Sequence, residues 1–416
     1  MKFPSLFSSL LMLSTICLPV QSMATPPAPF YDWSGPVTDA PGTMLRSEPL
    51  KATWLPADTG KAFKILYSST DGMKPENKVP VSGYILIPSG PAPKGGWPLV
   101  IWAHGTTGVA DVCAPSWMGP AARDQAYLNV WLKRGFAVVA SDYQGLGTPG
   151  THPYLLYRPE AYSLLDAARA VLKQHHFDIQ NKAMIVGQSQ GGGAALAATW
   201  AFPHYAPDLN VKGAVLTGLV TAIHQDTPEL NEKRYTTVDA MDPAFATLRL
   251  AGTDQAIHPE TDPSSLFSEK GKKMLEVAHN GCLHDLFREA KKLNIKTGNE
   301  LVSRDITAYD RDMTRYFELP DGHLTVPVFL GTGLADNMAG TTGQYGAALA
   351  LCKAGSVVQW HKYPGITHSG AVNYSLPDSE QFTHDIMNGS PVASSCSDIT
   401  PPGPIQKPTP NIPFNQ

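Results

Sequence analysis

Apolar positions along the chain fall into two alternating patterns. Short, almost unbroken apolar runs occupy residues 79–87, 98–103, 136–140, 184–186 and 211–216. Between them, apolar side chains recur three and four positions apart: Leu128, Trp131 and Leu132, then Leu164, Leu165, Ala168, Val171 and Leu172. The runs predict strands buried on both faces, and the spaced stripes predict helices with one apolar face. A further strand over 63–67 is joined to 79–87 across a polar turn at Asp71-Gly72. The alternation predicts an α/β fold, a mostly parallel central sheet with helices on both faces.

The alternation stops near residue 221 and resumes near residue 320. The intervening segment is polar, contains Pro228, Pro243, Pro259 and Pro263, and carries helical patterns over 272–277 and 285–293 with no clear strand. It is expected to be a helical cap or lid inserted into the core. Strand patterns return at 326–330 and 357–360. The expected organisation is a first core segment over 25–220, opening with an extended arm over 25–60, then a cap over 221–319, a second core segment over 320–400, and a tail over 401–416. The tail has six prolines, so it is expected to be extended. No internal repeat is present.

Residues 1–24 read as an export signal. Lys2 precedes an apolar run from Leu6 to Val20, and Ser22-Met23-Ala24 supplies small residues at the cleavage positions. Ile16 stands before Cys17 where a lipid-anchored signal needs a small residue, so no lipid anchor is expected. The protein is therefore expected to be secreted or periplasmic, with no transmembrane segment in its body. Composition adds exclusions. The 416 residues carry 32 Lys and Arg against 36 Asp and Glu, spread along the chain, so no basic patch points to nucleic acid. Cys113, Cys282, Cys352 and Cys396 remain after the signal. An even count in an exported chain favours two disulfides, and four cysteines allow three pairings. No Cys-x-x-Cys pair occurs, and His175-His176 has no ligand partner at suitable spacing, so neither a metal nor any other cofactor is expected.

Gly187-Gln188-Ser189-Gln190-Gly191 lies between the apolar run ending at Val186 and an Ala-rich helical stretch. A G-x-S-x-G sequence at a strand-to-helix junction is the nucleophile elbow of an α/β-hydrolase. The sharp turn pushes the serine hydroxyl into the open, and small flanking residues, continued by Gly192 and Gly193, allow the close approach this demands. Serine needs a base within hydrogen-bond reach and a carboxylate to orient that base. In this fold they follow in the order Ser, acid, His. Asp336, just after the 326–330 strand, is the expected acid. His368, on the loop after the last strand, is the expected base. Asp305, Asp310 and Asp312 precede the strand, His361 lies on a strand and His384 in a terminal helix, so they are weaker candidates. The oxyanion hole is expected from the backbone N–H of Gln190 and of Thr106, within His104-Gly105-Thr106-Thr107-Gly108, with Thr107 as the alternative donor.

These motifs, with the arm Pro41-Gly42-Thr43-Met44-Leu45-Arg46-Ser47-Glu48-Pro49-Leu50, residues 331–336 and residues 364–370, resemble those of the secretory lipases, the α/β-hydrolases of the Candida antarctica lipase A type and their bacterial relatives. The resemblance runs from about residue 30 to about residue 389. It implies Ser189, Asp336 and His368 as the triad, a helical lid over an acyl pocket, and the pairings Cys113–Cys282 and Cys352–Cys396. In the yeast lipase the oxyanion position is acidic, whereas here the loop reads His-Gly-Thr-Thr. The expected activity is hydrolysis of a carboxylic ester, of a small molecule or a lipid at a lipid–water interface. A serine peptidase or amidase on the same fold is the alternative, and a non-catalytic binding protein the more distant one.

Overall fold

A computed structural model describes residues 27–224 and 236–416. The expected signal over 1–24 and Pro228 of the expected cap lie outside the described residues. Eleven strands are present among those described: β1 (Met44–Pro49), β2 (Thr59–Thr70), β3 (Lys78–Pro88), β4 (Trp97–Ala103), β5 (Ala137–Ser141), β6 (Ile179–Gln188), β7 (Val211–Thr217), β8 (Ala222–Ile223), β9 (Glu318–Leu319), β10 (Val328–Gly333) and β11 (Val358–Tyr363). Nine form one sheet in the order β1-β2-β3-β5-β4-β6-β7-β10-β11. The first three pairings are antiparallel, and every pairing from β5 to β11 is parallel.

The helices flanking the sheet are α1 (Pro115–Met118), α2 (Ala122–Lys133), α3 (Tyr157–Leu172), α4 (Gln190–Tyr205), α10 (Thr341–Lys353), α11 (Gly370–Tyr374) and α12 (Leu376–Met387). Those between β8 and β9 are α5 (Pro243–Leu248), α6 (Gln255–Ile257), α7 (Glu269–Asn280), α8 (Leu283–Lys292) and α9 (Thr307–Phe317).

Successive side chains on a strand point to opposite faces. Leu99, Ile101, Val139 and Ile185 enter one apolar layer with Leu164, Leu165 and Leu196 of α3 and α4. Val100, Trp102, Val138 and Val186 enter the other with Leu128, Trp131 and Phe382 of α2 and α12. Both faces are thus buried, which explains why the central strands read as continuous apolar runs. The structure is the α/β-hydrolase fold expected from the alternation, with two differences of detail. Within the N-terminal arm, Met44–Pro49 joins the sheet as its antiparallel edge strand. Arg46 Nη1 fixes the preceding segment by donating to the carbonyls of Pro29, Phe30 and Asp32.

The segment between β7 and β10 also holds two strands that its sequence does not signal. β8 and β9 pair in parallel through two residues each, too short to leave a periodic pattern. Beyond them the helices pack around their own apolar cluster, including Leu248, Met274, Leu286 and Leu301. Ser268 caps α7 by accepting from Gly271 N, and Asp285 Oδ2 accepts from Cys282 N at the start of α8. No helix among the described residues is long and apolar enough to cross a membrane.

The tail is extended but firmly attached. Gln406 N donates to Leu334 O, Thr409 N to Gly365 O, and Thr367 N to Asn415 Oδ1 at 2.6 Å. The Asn415 amide donates in turn to Gly365 O and Thr409 O. The last residues therefore brace the loop that carries His368.

Candidate active site

Parallel register brings the relevant strand ends together. Ala103 of β4 stands opposite Gly187 of β6, Gln188 opposite Thr217 of β7, and Gly333 of β10 opposite Tyr363 of β11. The loops that follow leave the same carboxyl edge, where open α/β sheets place their ligands. Ser189 turns from β6 into α4 with φ +59° and ψ −124°, a conformation that costs on the order of 1–3 kcal/mol and that surrounding contacts must hold. Its N–H donates to Thr217 O at 3.0 Å. The neighbouring backbone explains Gly191: a Cβ there would lie 1.9 Å from Ala103 O.

His368 Nδ1 and Asp336 Oδ2 are 2.9 Å apart and both residues are buried. Asp336 Oδ2 also accepts from Gln344 Nε2 at 2.9 Å, and its Oδ1 from the N–H groups of Met338 and Ala339 at 3.0 and 2.9 Å. Burial pushes the Asp336 carboxyl up. The charge and hydrogen bond of His368 and the two amide donors outweigh it and hold the group below the ordinary carboxylate range. The ring sits tightly over Gly218, where a Cβ would approach Cε1 to 2.7 Å. Ser189, 9 % exposed, makes no side-chain hydrogen bond to His368; among the described residues the partner of His368 Nε2 is Gln188 Nε2, at 3.0 Å.

The loop carrying Thr106 packs against the elbow. A Cβ on Gly105 would stand 3.4 Å from Ser189 Cβ. Thr106 Oγ1 lies 2.9 Å from Tyr154 OH, and Thr107 O accepts from Leu283 N of α8 at 2.8 Å. Gln190 is the first residue of α4, so its N–H has no acceptor within the helix. The Gln190 side chain is anchored: Nε2 donates to Glu160 Oε1 at 2.7 Å and lies 3.2 Å from His152 Nε2. His152 Nδ1 faces Gln144 O at 2.9 Å, and burial pushes this imidazole down to about 4, so it is neutral and Nε2 accepts.

Glu160 is buried behind Gln190, and burial pushes its carboxyl up to about 8, against the hydrogen bonds from Gln190 and Leu155 N. The unfolded chain releases this proton near pH 4.5, while the folded chain holds it to about pH 8. Its contribution to stability is therefore complete below about pH 4.5 and is lost as pH rises towards about 8. Glu160→Gln keeps the acceptor oxygen and cannot ionise. Its melting temperature should exceed that of the wild type by a margin that grows through this window and then levels. The final gain should be on the order of a few kcal/mol, at about 1.4 kcal/mol per pKa unit. A gap that is constant with pH in thermal melts would disprove ionisation of Glu160 as the cause.

The four cysteines form two disulfides, Cys113–Cys282 and Cys352–Cys396. The first joins the segment after the Thr106 loop to the start of α8. The second joins α10 to the stretch after α12. The other acids and histidines considered from the sequence stand elsewhere. His361 Nδ1 lies 3.5 Å from Asp378, His384 Nδ1 lies 3.5 Å from Asp385, Asp305 bonds the Thr307 N–H and Asp310 pairs with Arg249, while Asp312 is exposed. Among the described residues, no group of three or more His, Cys, Asp or Glu side chains is arranged to hold a metal. Sequence reasoning missed Arg123, Glu160 and His152 entirely, and quoted Gln188 only as a letter of the motif. None of the four carries a local signal, since the contacts that bring them to the site, Arg123 to Gln188, Gln188 to His368 and Gln190 to His152 and Glu160, join positions 30 to 180 apart in the chain.

A serine on a strained turn, beside an imidazole that a carboxylate orients, is an arrangement suited to nucleophilic acyl transfer. Comparison with known proteins agrees with that class. Residues 121–394 match the model of the secretory lipase family. The chain is 24% identical over 413 residues to a protein of Malassezia globosa named secreted triacylglycerol lipase, covering 90% of this chain and 83% of that one. The closed-state structure of Candida antarctica lipase A superposes with a TM-score of 0.71 at 20% identity, covering 94% of this chain and 92% of that one. The rice cell wall degrading esterase LipA of Xanthomonas oryzae superposes at 0.62 and 19%, covering 84% and 97%. At these identities the two structural likenesses speak for the fold. The family match carries the assignment: this chain belongs to the secretory lipase family, ester hydrolases of the lipase and carboxylesterase class.

Proposed function

We propose that the protein is an exported lipase or esterase that cleaves esters through an acyl-enzyme on Ser189. The observation that carries this reading is the 2.9 Å pair of His368 and Asp336 beside the strained Ser189 elbow. Ser189 Oγ attacks the ester carbonyl carbon, and its proton passes to His368 Nε2. Asp336 holds the imidazole with Nδ1–H towards it and stabilises the imidazolium. The carbonyl oxygen becomes an oxyanion that the N–H groups of Gln190 and Thr106 receive. Collapse expels the alcohol, which takes the proton from His368. Water then attacks the acyl-enzyme by the reverse sequence of proton transfers, releasing the acid and restoring Ser189.

The segment over 221–319 serves in this reading as a lid. It is bonded to the Thr106 loop through Leu283 N to Thr107 O, and to Cys113, just after that loop, through Cys282. The substrate is a lipid or small-molecule ester, and residues 1–24 direct export.

The test is covalent. A fluorophosphonate should label the mature protein once, on the peptide containing Ser189, and block cleavage of p-nitrophenyl esters. A matched panel of short and long acyl esters and amides then assigns the bond. Labelling at another serine, or amide turnover above ester turnover, would overturn the reading. Substitutions of apolar lid residues should shift chain-length preference more than turnover of acetate esters. A uniform effect across chain lengths would remove the selecting role of the segment.

A further inference from the structure

Gln188, the residue before the elbow serine, sits where the reaction needs an open position. Its surroundings fix how its amide is oriented. Arg123 Nη2 lies 2.8 Å from Gln188 Oε1, and a guanidinium only donates, so the oxygen must face Arg123. Arg123 is itself held, with Nε on Asp124 Oδ1 at 2.8 Å and Nη1 on Ser369 Oγ at 3.3 Å. The amide nitrogen then faces His368 Nε2 at 3.0 Å and donates to it. His368 Nε2 must be an acceptor, so the ring proton is on Nδ1, where it meets Asp336 Oδ2. One arrangement of protons satisfies all these contacts: Arg123 to Gln188, Gln188 to His368, His368 to Asp336.

That arrangement has the tautomer of a ready base, but its lone pair is occupied. A single lone pair on Nε2 cannot accept from Gln188 and from Ser189 at once, and Ser189 Oγ has no hydrogen bond to it. The space around the amide is also restricted. A Cβ on Gly105 would come within 2.6 Å of Gln188 Oε1, and one on Gly218 within 2.8 Å of His368 Nδ1. Both glycines leave room for the Gln188–His368 contact.

We propose that Gln188 is a positioning residue that holds His368 in the resting enzyme and competes with Ser189 for its Nε2. Acylation is then preceded by an exchange in which the Gln188 amide releases the lone pair and the serine hydroxyl takes it. The fraction of molecules in the exchanged state scales the observed acylation rate. This inference rests on the triad reading given above.

The experiment measures the second-order rate at which diethyl p-nitrophenyl phosphate phosphorylates Ser189 in the mature protein, read as nitrophenolate release and mapped by mass spectrometry. Gln188→Met and Gln188→Leu retain bulk and lose the donor. Both should react faster than wild type by about 2- to 10-fold, the range that follows from the net strength of one hydrogen bond. A merely structural role cannot produce this gain, because a disturbed site reacts more slowly. Equal or slower labelling in folded variants would overturn the proposal. A crystal structure of the ligand-free wild type provides a second measurement independent of variant folding: Gln188 Nε2 should lie within hydrogen-bond reach of His368 Nε2 and Ser189 Oγ should not, whereas a Ser189 Oγ–His368 Nε2 hydrogen bond in that state overturns the proposal. Failure of the wild type to label at Ser189 is a separate result that overturns the serine reading itself.

Discussion

Under the proposed mechanism, Ser189→Ala is expected to fold as the wild type does and to lose about 10⁴-fold or more in kcat on p-nitrophenyl esters, because the members of a catalytic triad act as a unit. The substitution removes one buried oxygen and leaves the backbone contacts of the elbow, Ser189 N to Thr217 O and Gly192 N to Ser189 O, in place. His368→Ala should fall comparably. Asp336→Asn should fall in the same direction, since an amide at Oδ2 no longer selects the Nδ1–H tautomer of His368. His361→Ala and His384→Ala should retain activity, because these rings partner Asp378 and Asp385 away from the elbow. Steady-state kinetics on proteins with matched circular dichroism and melting curves decides the matter. Near wild-type turnover by folded Ser189→Ala would remove Ser189 from the mechanism. Activity that survives His368→Ala and disappears with His361→Ala would move the base to another strand.

The second large effect concerns the bond between core and insertion. Cys113–Cys282 closes a separation of 169 residues, so replacing both cysteines by serine frees a long loop in the unfolded chain. The expected loss is about 2–5 kcal/mol of stability. Position adds a catalytic consequence. A Cβ on Gly108 would meet Cys113 Sγ at 2.7 Å and Cys282 Cα at 3.3 Å, and Thr107 O is bonded to Leu283 N, so the disulfide holds the loop that carries Thr106. Since one oxyanion donor is worth about 10²–10³ in kcat, loosening that loop should lower kcat by part of this range. Cys352–Cys396 closes 44 residues between α10 and the stretch after α12, and its removal should lower the melting temperature with little change in kcat. Equal kcat for the Cys113–Cys282 double variant and the wild type would show that the Thr106 loop is held without the bridge.

Sequence alone determined whatever depends on neighbours along the chain. Continuous apolar runs between amphipathic stripes specify strands buried under helices, and the two apolar layers of the sheet follow from the alternation of side chains on β4 to β7. The glycine-bracketed serine could be placed because its turn is a local demand on the backbone, seen as the positive φ of Ser189. The pairing of Asp336 with His368 could be anticipated from their positions after two late strands. Other features were decided only in three dimensions. Met44–Pro49 becomes an edge strand because β2 offers it a free edge, which the Pro- and Gly-rich segment does not announce. The tail braces the His368 loop through Asn415, whose amide can donate and accept together. Arg123 orients Gln188, and Gln188 meets His368, because packing brings three distant parts of the chain to one sheet edge. Periodicity records which face of an element is apolar; the polar partner a buried side chain finds depends on how the elements pack, and only the folded chain fixes that.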